Sequence, residues 1–415
     1  MATLLVSLMT SGFVIAEPEY MDDLVSGRFS ILSSGVDNSR IGEGVSVLES
    51  IQTRFIIEEE LDQRTKLEFH LTNGNTLSSD NSAFFVVSPD SLQYRMLDLT
   101  WNQIHEDAFS SYFSIDRANM KFRLSKSDIT IGRQAISFGS AWFWNPLDIF
   151  YPFDAQAVDR DYKMGVDAIR LDIPIGQISG VNCITTFGSK LRLRPNNTFE
   201  SEGLDFDRYG SAILLRYFNT WDGWDVAVQG GKIYGGYQFG GGVVGEVNKV
   251  QIRAEAATFF SENSDPMPLP FTGNIYNDNY QFVIGLGRLY NNSLDIEMEY
   301  LFNGATDTSD LDASSIRMRY QANRHLSEQL LGANIGYQFS PLVHGQLVSI
   351  VSLSDSSYQI EPFITYSVGN NSDLLLGCVL NFGQTPVELA PGVSSLRSEF
   401  GSYPSAIFAE YKHYF

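Results

Sequence analysis

A segment at residues 139–164 combines large aromatic rings with closely spaced charges. The sequence from residue 132 onward reads GRQAISFGSAWFWNPLDIFYPFDAQAVDRD. The rings available for apolar packing are Trp142, Trp144, Phe150 and Phe153, and the charged residues are Asp148, Asp154, Asp159, Arg160, Asp161 and Lys163. Pro146 and Pro152 disfavour a continuous helix or a central strand. We therefore expect the rings to anchor the segment and its charges to meet ions or polar solutes.

Residues for covalent catalysis or metal binding are not grouped in the sequence. The five histidines stand at positions 70, 105, 325, 344 and 413, so none is paired at metal-ligand spacing. A nucleophile needs a base within reach, and neither a Gly-x-Ser-x-Gly segment nor a local Ser–His pair is present. The glycine-rich stretch at 235–245 precedes no predicted helix, which argues against a phosphate-binding loop. The sequence predicts no enzyme, no cofactor and no metal site.

The chain is strongly acidic, with a net charge of −21 from 28 Lys and Arg against 49 Asp and Glu. A nucleic-acid-binding surface requires surplus Lys and Arg to neutralise phosphates, so this function class is disfavoured. The acidic surplus is compatible with plain solubility or with attraction of cations.

Many charged residues alternate with apolar ones. Examples are TKLEFHL (65–71), NMKFRL (119–124), KVQIRAEAAT (249–258), LDIEMEY (294–300) and IRMRY (316–320). A period of two indicates β-strands with one apolar and one wet face. The wet faces carry Lys66, Glu68, Lys121, Arg123, Lys249, Arg253, Glu255, Asp295, Glu297, Glu299, Arg317 and Arg319.

The connections alternate between short turns and long loops. Short polar turns are expected at 125–127, 247–249, 290–293 and 369–372. Long polar segments are expected at 74–90, 196–207, 261–278, 304–313 and 383–403. This layout is typical of an all-β, up-and-down antiparallel barrel. About 18 strands are expected, with 16 as the alternative, and the segment 97–117 is ambiguous and could hold a hairpin.

A strand with one wet face fits a soluble β-protein, in which the apolar face points inward, or a transmembrane barrel, in which the apolar face points outward. Aromatic residues make up 13% of the chain, and many stand near predicted strand ends, as the interfacial girdles of membrane barrels require. Residues 1–16 read as an export signal peptide, which leaves 17–415 as a single barrel domain. Because no Lys or Arg precedes Arg28, the alternatives are a misassigned start or a buried N-terminal segment. We therefore favour the transmembrane barrel, in which charged faces line a water-filled lumen and apolar faces meet lipid.

Two stretches resemble Gram-negative outer-membrane β-barrel proteins. The final SAIFAEYKHYF resembles their closing strand, which ends in Phe, here Phe415. The segment IGRQAISFGSAWFWNPLDIFYPF followed by GVDAIRLDI is similar to one in porins and alginate-export-type channels. The resemblance implies an outer-membrane location in contact with lipid and lipopolysaccharide. It further implies recognition of the Phe415 strand by the barrel-assembly machinery, passive passage of small hydrophilic solutes or ions, and possible homotrimers.

These expectations define a candidate site. The segment 139–164 would fold into the lumen as a constriction loop, or alternatively pack on itself outside the barrel. Arg133 would pair with the loop carboxylates or extend to the rim. Acidic loop residues predict a weak cation preference, whereas the basic runs Lys190/Arg192/Arg194 and Arg117/Lys121/Arg123 would suit an anionic solute. The rival functions are a structural or adhesive barrel that does not conduct, an outer-membrane barrel enzyme, and a secreted soluble β-protein.

Overall fold

The computed structural model describes residues 25–39, 44–79, 93–105, 108–155, 157, 159–193, 199–200, 207–262, 265–390 and 393–415. The expected signal peptide at 1–16 lies outside these residues and stays a prediction. Among the described residues, no helix has the length and apolar character needed to cross a membrane.

The described residues form 23 strands, one α-helix and one short 3₁₀-helix (Phe400–Ser402). In chain order, the strands β1 to β23 are Val25–Asp37, Val45–Glu60, Thr65–Ser78, Thr100–His105, Phe109–Arg123, Asp128–Gln134, Val166–Pro174, Ser179–Thr186, Arg192–Leu193, Phe199–Glu200, Ala212–Trp221, Trp224–Ile233, Gly236–Val247, Val250–Ser261, Asn279–Leu289, Leu294–Asn303, Gln329–Ser340, Val343–Ser352, Tyr358–Gly369, Ser372–Phe382, Val387–Ala390, Val393–Ser395 and Ser405–Tyr414. The helix α1 spans Leu311–Arg319.

Eighteen of these strands form a closed antiparallel barrel, which confirms the predicted architecture and strand number. Each barrel strand pairs with the next barrel strand along the chain, and β23 pairs with β1 to complete the ring. The other strands are β4, which pairs with β5, and two small two-stranded sheets, β9–β10 and β21–β22. The ambiguous segment 97–117 therefore does contain a hairpin.

One end of the barrel, called here the short-turn end, has only short turns, and the other, the long-loop end, carries all the long connections together with the short connections 234–235 and 353–357. All four predicted short turns connect adjacent strands. At one of them, Asn248 and Lys249 both adopt positive φ (52° and 66°), the conformation of a type I′ two-residue hairpin turn. Both ends of the described chain are also at the short-turn end, where Gly27 and Phe415 exchange backbone hydrogen bonds of 2.8 and 3.0 Å.

The apolar faces of the barrel strands point outward. Ile213, Leu286 and Leu376 are 59%, 49% and 50% exposed, whereas the inward-facing Arg133, Glu255 and Glu299 are 2%, 2% and 1% exposed. A soluble β-protein would bury the first group and expose the second. This inversion is the arrangement expected of a barrel surrounded by lipid.

The barrel strand from which the 139–164 segment departs is shorter than its neighbour. Strand β6 has seven residues and pairs only with the short-turn half of the 15-residue β5. The other half of β5 pairs with β4 instead. Because β6 ends partway up the wall, the chain that follows it enters the barrel at mid-height.

The prediction of a strand at 316–320 is wrong, because these residues continue helix α1 and the turn after it. The side chain of Asp310 caps the helix by accepting a hydrogen bond from Ala313 N at 2.9 Å. Ala313, Ile316 and Tyr320 then pack into one apolar cluster, and their spacing of three and four residues is helical. A five-residue alternation was too short to exclude this period.

Candidate functional site

Two wall carboxylates hold the beginning of the 139–164 segment. Glu255 on β14 accepts hydrogen bonds from the backbone N–H of Ser140 and from its hydroxyl, the latter at 2.9 Å. Glu299 on β16 accepts from the backbone N–H groups of Trp142, Phe143 (2.7 Å) and Trp144 (3.4 Å). Backbone donors in a non-regular segment need such partners when they are buried, so the two acids fix the path of the chain.

Aromatic rings from the same stretch pack on the inner face of the opposite wall. Phe143 and Trp144 join one apolar cluster with the inward-facing Leu330 and Ile350, and the predicted anchor Trp142 packs against it. At Gly332, an added Cβ would lie 2.8 Å from the Phe143 ring, so a glycine is needed there for the ring to approach β17. The predicted anchor Phe150 is fully buried in a second cluster around Tyr94.

The later part of the segment is held by ion pairs to the strands that close the barrel. Asp159 and Asp161 both lie 2.7 Å from Arg28 Nη1 on β1, and 2.9 and 3.1 Å from Lys412 Nζ on β23. Tyr414 donates a further hydrogen bond of 2.8 Å to Asp161. Burial alone would raise the pKa of Asp161, but the Tyr414 hydrogen bond and the charges of Lys412 and Arg28 lower it to about 2.

These attachments carry the segment across the barrel interior. It leaves β6, contacts β14 and β16 to β18, then reaches β23 and β1 before it re-enters the wall at β7. The strand order places β17 and β18 about halfway round the barrel from β6 and β7. The chain is therefore anchored to three separate arcs of the inner wall.

The remaining charges of the segment are mostly neutralised locally. Lys163 Nζ lies 2.6 Å from Asp148, and both side chains are 6% exposed. Burial raises the pKa of Asp148 and lowers that of Lys163. Arg160 donates to the carbonyl groups of Trp142, Ala155 and Ala157, and its guanidinium lies 4.8 Å from the Trp142 ring centre. The predicted Phe153 is half-buried, and Asp154 is exposed with Arg324 3.6 Å away.

Arg133 does not pair with the loop carboxylates and does not extend to the rim. Its Nε and Nη2 donate to Asp167 on β7 at 2.7 and 3.0 Å. Two further bonds reach the carbonyl groups of Ile115 and Leu97. Arg133 therefore ties β5, β6 and β7 together where the 139–164 segment leaves the wall, and both sequence-based alternatives for it are wrong.

The other predicted lining residues form ion pairs on the inner face. Arg253 contacts Glu297 at 2.7 Å and Glu299 at 3.6 Å. Near the short-turn end, Lys121 pairs with Asp128 and Arg123 with Glu60, each at 2.8 Å. Arg317 and Arg319 are not brought to this face, because they belong to α1 in the long connection 304–328, where Arg317 donates to the Asn274 carbonyl at 3.3 Å.

Several inward-facing charges were missed from the sequence. The most important are Arg28, Arg54, Arg95, Asp116 and Lys412. Asp116 accepts hydrogen bonds of 2.9 Å from both Arg54 and Arg95, in a buried three-charge group. Alternation in SAIFAEYKHYF places Lys412 on the wet face, so that residue could have been found. Arg54 and Arg95 stand in stretches without clear alternation.

One group of potential metal ligands forms on β2 and β3, which sequence spacing did not indicate. A carboxylate oxygen of Glu58, one of Glu68 and a ring nitrogen of His70 lie within 4.8 Å of one another. Both carboxylates already have cationic partners, Lys66 for Glu58 and Arg117 for Glu68. The group therefore belongs to the network of inner-face ion pairs.

Two cavities lie on either side of the Ser140–Leu147 stretch. The first, of 170 Å³, is at the long-loop end and is lined by Phe143 to Pro146 together with residues 321–325. The second, of 480 Å³, is at the short-turn end and is lined by Ser140, Leu147, Arg216 and Glu255. In this part of the barrel, the stretch separates space at one end from space at the other.

No protein-family model and no curated protein matches the sequence. The fold does match solved structures. They include Acinetobacter baumannii OccAB1 (TM-score 0.56, 9% identity, 95% of this chain and 97% of that chain) and Pseudomonas aeruginosa OccK8 (OprE) (0.56, 8%, 94% and 98%). The outer membrane protein opdK from P. aeruginosa matches with a TM-score of 0.53 at 9% identity, over 94% of this chain and 98% of that chain. The chain has the fold of these barrels over nearly its whole length.

Proposed function

We propose that this protein is a porin of the Gram-negative outer membrane, a passive diffusion channel for small hydrophilic solutes or ions. The observation that carries the proposal is the 139–164 segment, which crosses the interior of an inverted barrel and leaves a cavity on each side. A pore gains selectivity where a narrowing presents charged groups to the solute. The segment supplies the narrowing, and the paired charges of the inner wall supply the electrostatic lining.

The same inversion supports the membrane location. Outward Leu and Ile side chains would meet acyl chains, and lipopolysaccharide would surround the long-loop end. The final strand pairs along its whole length with β1 and over residues 406–413 with β20, and Phe415 is 46% exposed at its end. We propose that the barrel-assembly machinery recognises this apolar final strand before it pairs with β1 and closes the barrel.

We further propose that copies of the chain associate through the outer face of β1, β2, β3 and β5, in trimers. Glu49 lies on the same face as the outward Val47 and Ile51, and accepts a hydrogen bond of 2.7 Å from Ser33. On the same face, the half-buried Asn75 donates a hydrogen bond of 2.7 Å to the half-buried Asn73, and it accepts one of 2.8 Å from Ser111, which is itself buried. Polar groups facing lipid are unfavourable, and contact with a second copy would remove them from it.

The oligomer is tested by sedimentation of the purified protein in mild detergent. Wild type should sediment as a trimer. Glu49→Leu should make the trimer dissociate more readily, because the leucine has no polar group to remove from lipid. A monomer at all concentrations would contradict the association and leave the channel proposal intact.

The channel itself is tested by inserting refolded protein into planar lipid bilayers in potassium chloride. Stepwise currents that are linear in voltage and need no energy source are expected. A folded, inserted protein that never conducts would instead support the structural or adhesive alternative. A monodisperse protein in detergent-free buffer would support the soluble one, and lipid hydrolysis lost on one His substitution would support the enzyme.

A further inference from the structure

Among the described residues, the outer face of β14 to β17 carries one charged side chain, Arg288. The outward positions alternate along each strand, from Val250 to Phe260, Tyr280 to Arg288, Leu294 to Phe302 and Gln329 to Phe339. Apart from Arg288, these described positions hold no Lys, Arg, Asp or Glu. The four strands stand across the ring from β1, β2, β3 and β5, so the proposed association between copies would leave this face on lipid.

No protein group neutralises Arg288 in the described part of the chain, because the half-buried side chain has neither a hydrogen-bond nor an ion-pair partner there. Its guanidinium carbon lies 4.6 Å from the centre of the Tyr290 ring. Tyr290 follows β15 towards the short-turn end, so the Arg288 side chain extends towards that end. Long basic side chains that face lipid extend in this way to reach the polar interface. By contrast, the outward Lys232 at the long-loop end of β12 has Glu262 3.7 Å away.

Two tyrosine hydroxyl groups lie on the same face, slightly nearer the short-turn end than Arg288. Tyr290 N donates to the Leu294 carbonyl at 2.8 Å, and Leu294 pairs with Tyr337 on β17, so the two tyrosines flank Leu294. Tyr290 and Tyr337 are 39% and 36% exposed, and neither hydroxyl has a hydrogen-bond partner among the described residues. The Tyr337 ring is held edge-to-face against Phe339, with 5.0 Å between the ring centres. Both hydroxyls are therefore accessible from outside the barrel.

A phosphodiester suits these donors, because a guanidinium and phenolic hydroxyls both donate hydrogen bonds to phosphate oxygens. The short turns of outer-membrane barrels face the periplasm, on the side of the membrane whose leaflet is phospholipid. Lipid headgroups therefore lie at the level of Arg288 and the two tyrosines. One cation without a nearby acid complements a net anionic headgroup. The ammonium group of a zwitterionic lipid would have no acidic partner on the outer face of these four described strands.

We propose that Arg288, Tyr290 and Tyr337 bind the phosphate of phosphatidylglycerol in the periplasmic leaflet, with the acyl chains of the lipid along the outward Leu286 and Ile296. An unpaired charge that faces lipid is unfavourable, and the phosphate supplies the counter-charge that the protein does not. This binding goes beyond the channel function and is independent of whether the barrel conducts.

The test is native mass spectrometry of the full chain in detergent, titrated with phosphatidylglycerol or with phosphatidylethanolamine of the same acyl chains. One phosphatidylglycerol per chain should bind about fivefold more tightly than phosphatidylethanolamine, and Arg288→Gln should remove that preference. Tyr290→Phe and Tyr337→Phe keep the rings but remove one donor each. Each should weaken phosphatidylglycerol binding about twofold to fivefold, and these conservative variants keep the test decisive if Arg288→Gln does not fold.

The matched control is Lys126→Gln, which removes one positive charge from the exposed turn between β5 and β6 at the same end of the barrel. It should leave the lipid preference unchanged. Equal binding of both lipids by wild type, or an equal loss in Lys126→Gln and Arg288→Gln, would overturn the inference. Inorganic phosphate, titrated by calorimetry, should show no saturable binding. Saturable phosphate binding that Arg288→Gln abolishes would assign the site to a free anion and overturn the lipid assignment.

Discussion

Glu299 on β16 accepts a hydrogen bond of 2.7 Å from the backbone N–H of Phe143, a residue 156 positions earlier in the chain. The same carboxylate also accepts from Trp142 and Trp144. One wall side chain thus fixes three consecutive residues of the segment that crosses the barrel, and its removal should release them.

Glu299→Ala should raise single-channel conductance and increase current fluctuations, because the Trp142–Trp144 backbone loses its acceptor and the narrowing becomes mobile. The matched control is Glu246→Ala, a carboxylate exposed near the short-turn end of β13. Equal conductance of wild type and both variants in planar bilayers would show that Glu299 does not hold the narrowing.

The second anchor predicts a dependence on acid pH. Because the pKa of Asp161 is lowered from 3.8 to about 2, its ion pairs favour the anchored state at pH values above 3.8 and are lost as the pH falls towards 2. Conductance should stay constant from neutral pH down to that range and then rise. Asp161→Asn should show the higher conductance already at neutral pH, with a smaller rise on acidification. A wild-type transition near pH 6 would assign the response to another group.

Ion selectivity should respond to Lys412. This side chain neutralises Asp159 and Asp161, so Lys412→Gln should leave them with Arg28 as their remaining basic partner and shift selectivity towards cations. Reversal potentials across a potassium chloride gradient measure the shift, with Lys126→Gln as a control in the exposed turn between β5 and β6. We expect a weak cation preference in wild type. A shift towards anions in Lys412→Gln would contradict this electrostatic account.

The outward apolar face of the barrel predicts that the effect of an arginine substitution on stability depends strongly on whether the position faces lipid. Leu376 is 50% exposed in the middle of β20, and Leu376→Arg should lower the free energy of unfolding in lipid vesicles by about 2–4 kcal/mol. Leu389 is 69% exposed but lies on β21, which is not one of the barrel strands. Leu389→Arg should therefore change the free energy of unfolding by less than about 0.5 kcal/mol. Equal effects in urea titrations would argue against a lipid-facing β20.

Strand number and the inversion could be predicted because alternation is a local property. In LDIEMEY and KVQIRAEAAT, the period of two assigns Glu299 and Glu255 to the wet face without knowledge of their neighbours. The partners of these residues could not be predicted, because Glu299 contacts residues more than 150 positions away. Arg133 shows the same limit, since its partner Asp167 is adjacent only when β6 and β7 pair.

The alternation of apolar and charged residues gave a wrong prediction where a short stretch fits both the strand period of two and the helical period. Residues 316–320 alternate, yet Asp310 caps a helix that includes Arg317 and Arg319. The capping residue and the apolar spacing from Ala313 to Tyr320 were both present in the sequence, but they were outweighed by five alternating residues.

The most direct measurement compares the single-channel conductance of wild type and of a variant lacking residues 142–156, in the same bilayer and salt. Both should insert and conduct, and the deletion should give clearly larger current steps because the chain no longer crosses the interior. Identical current steps from the two proteins would contradict the central claim that this segment narrows the pore.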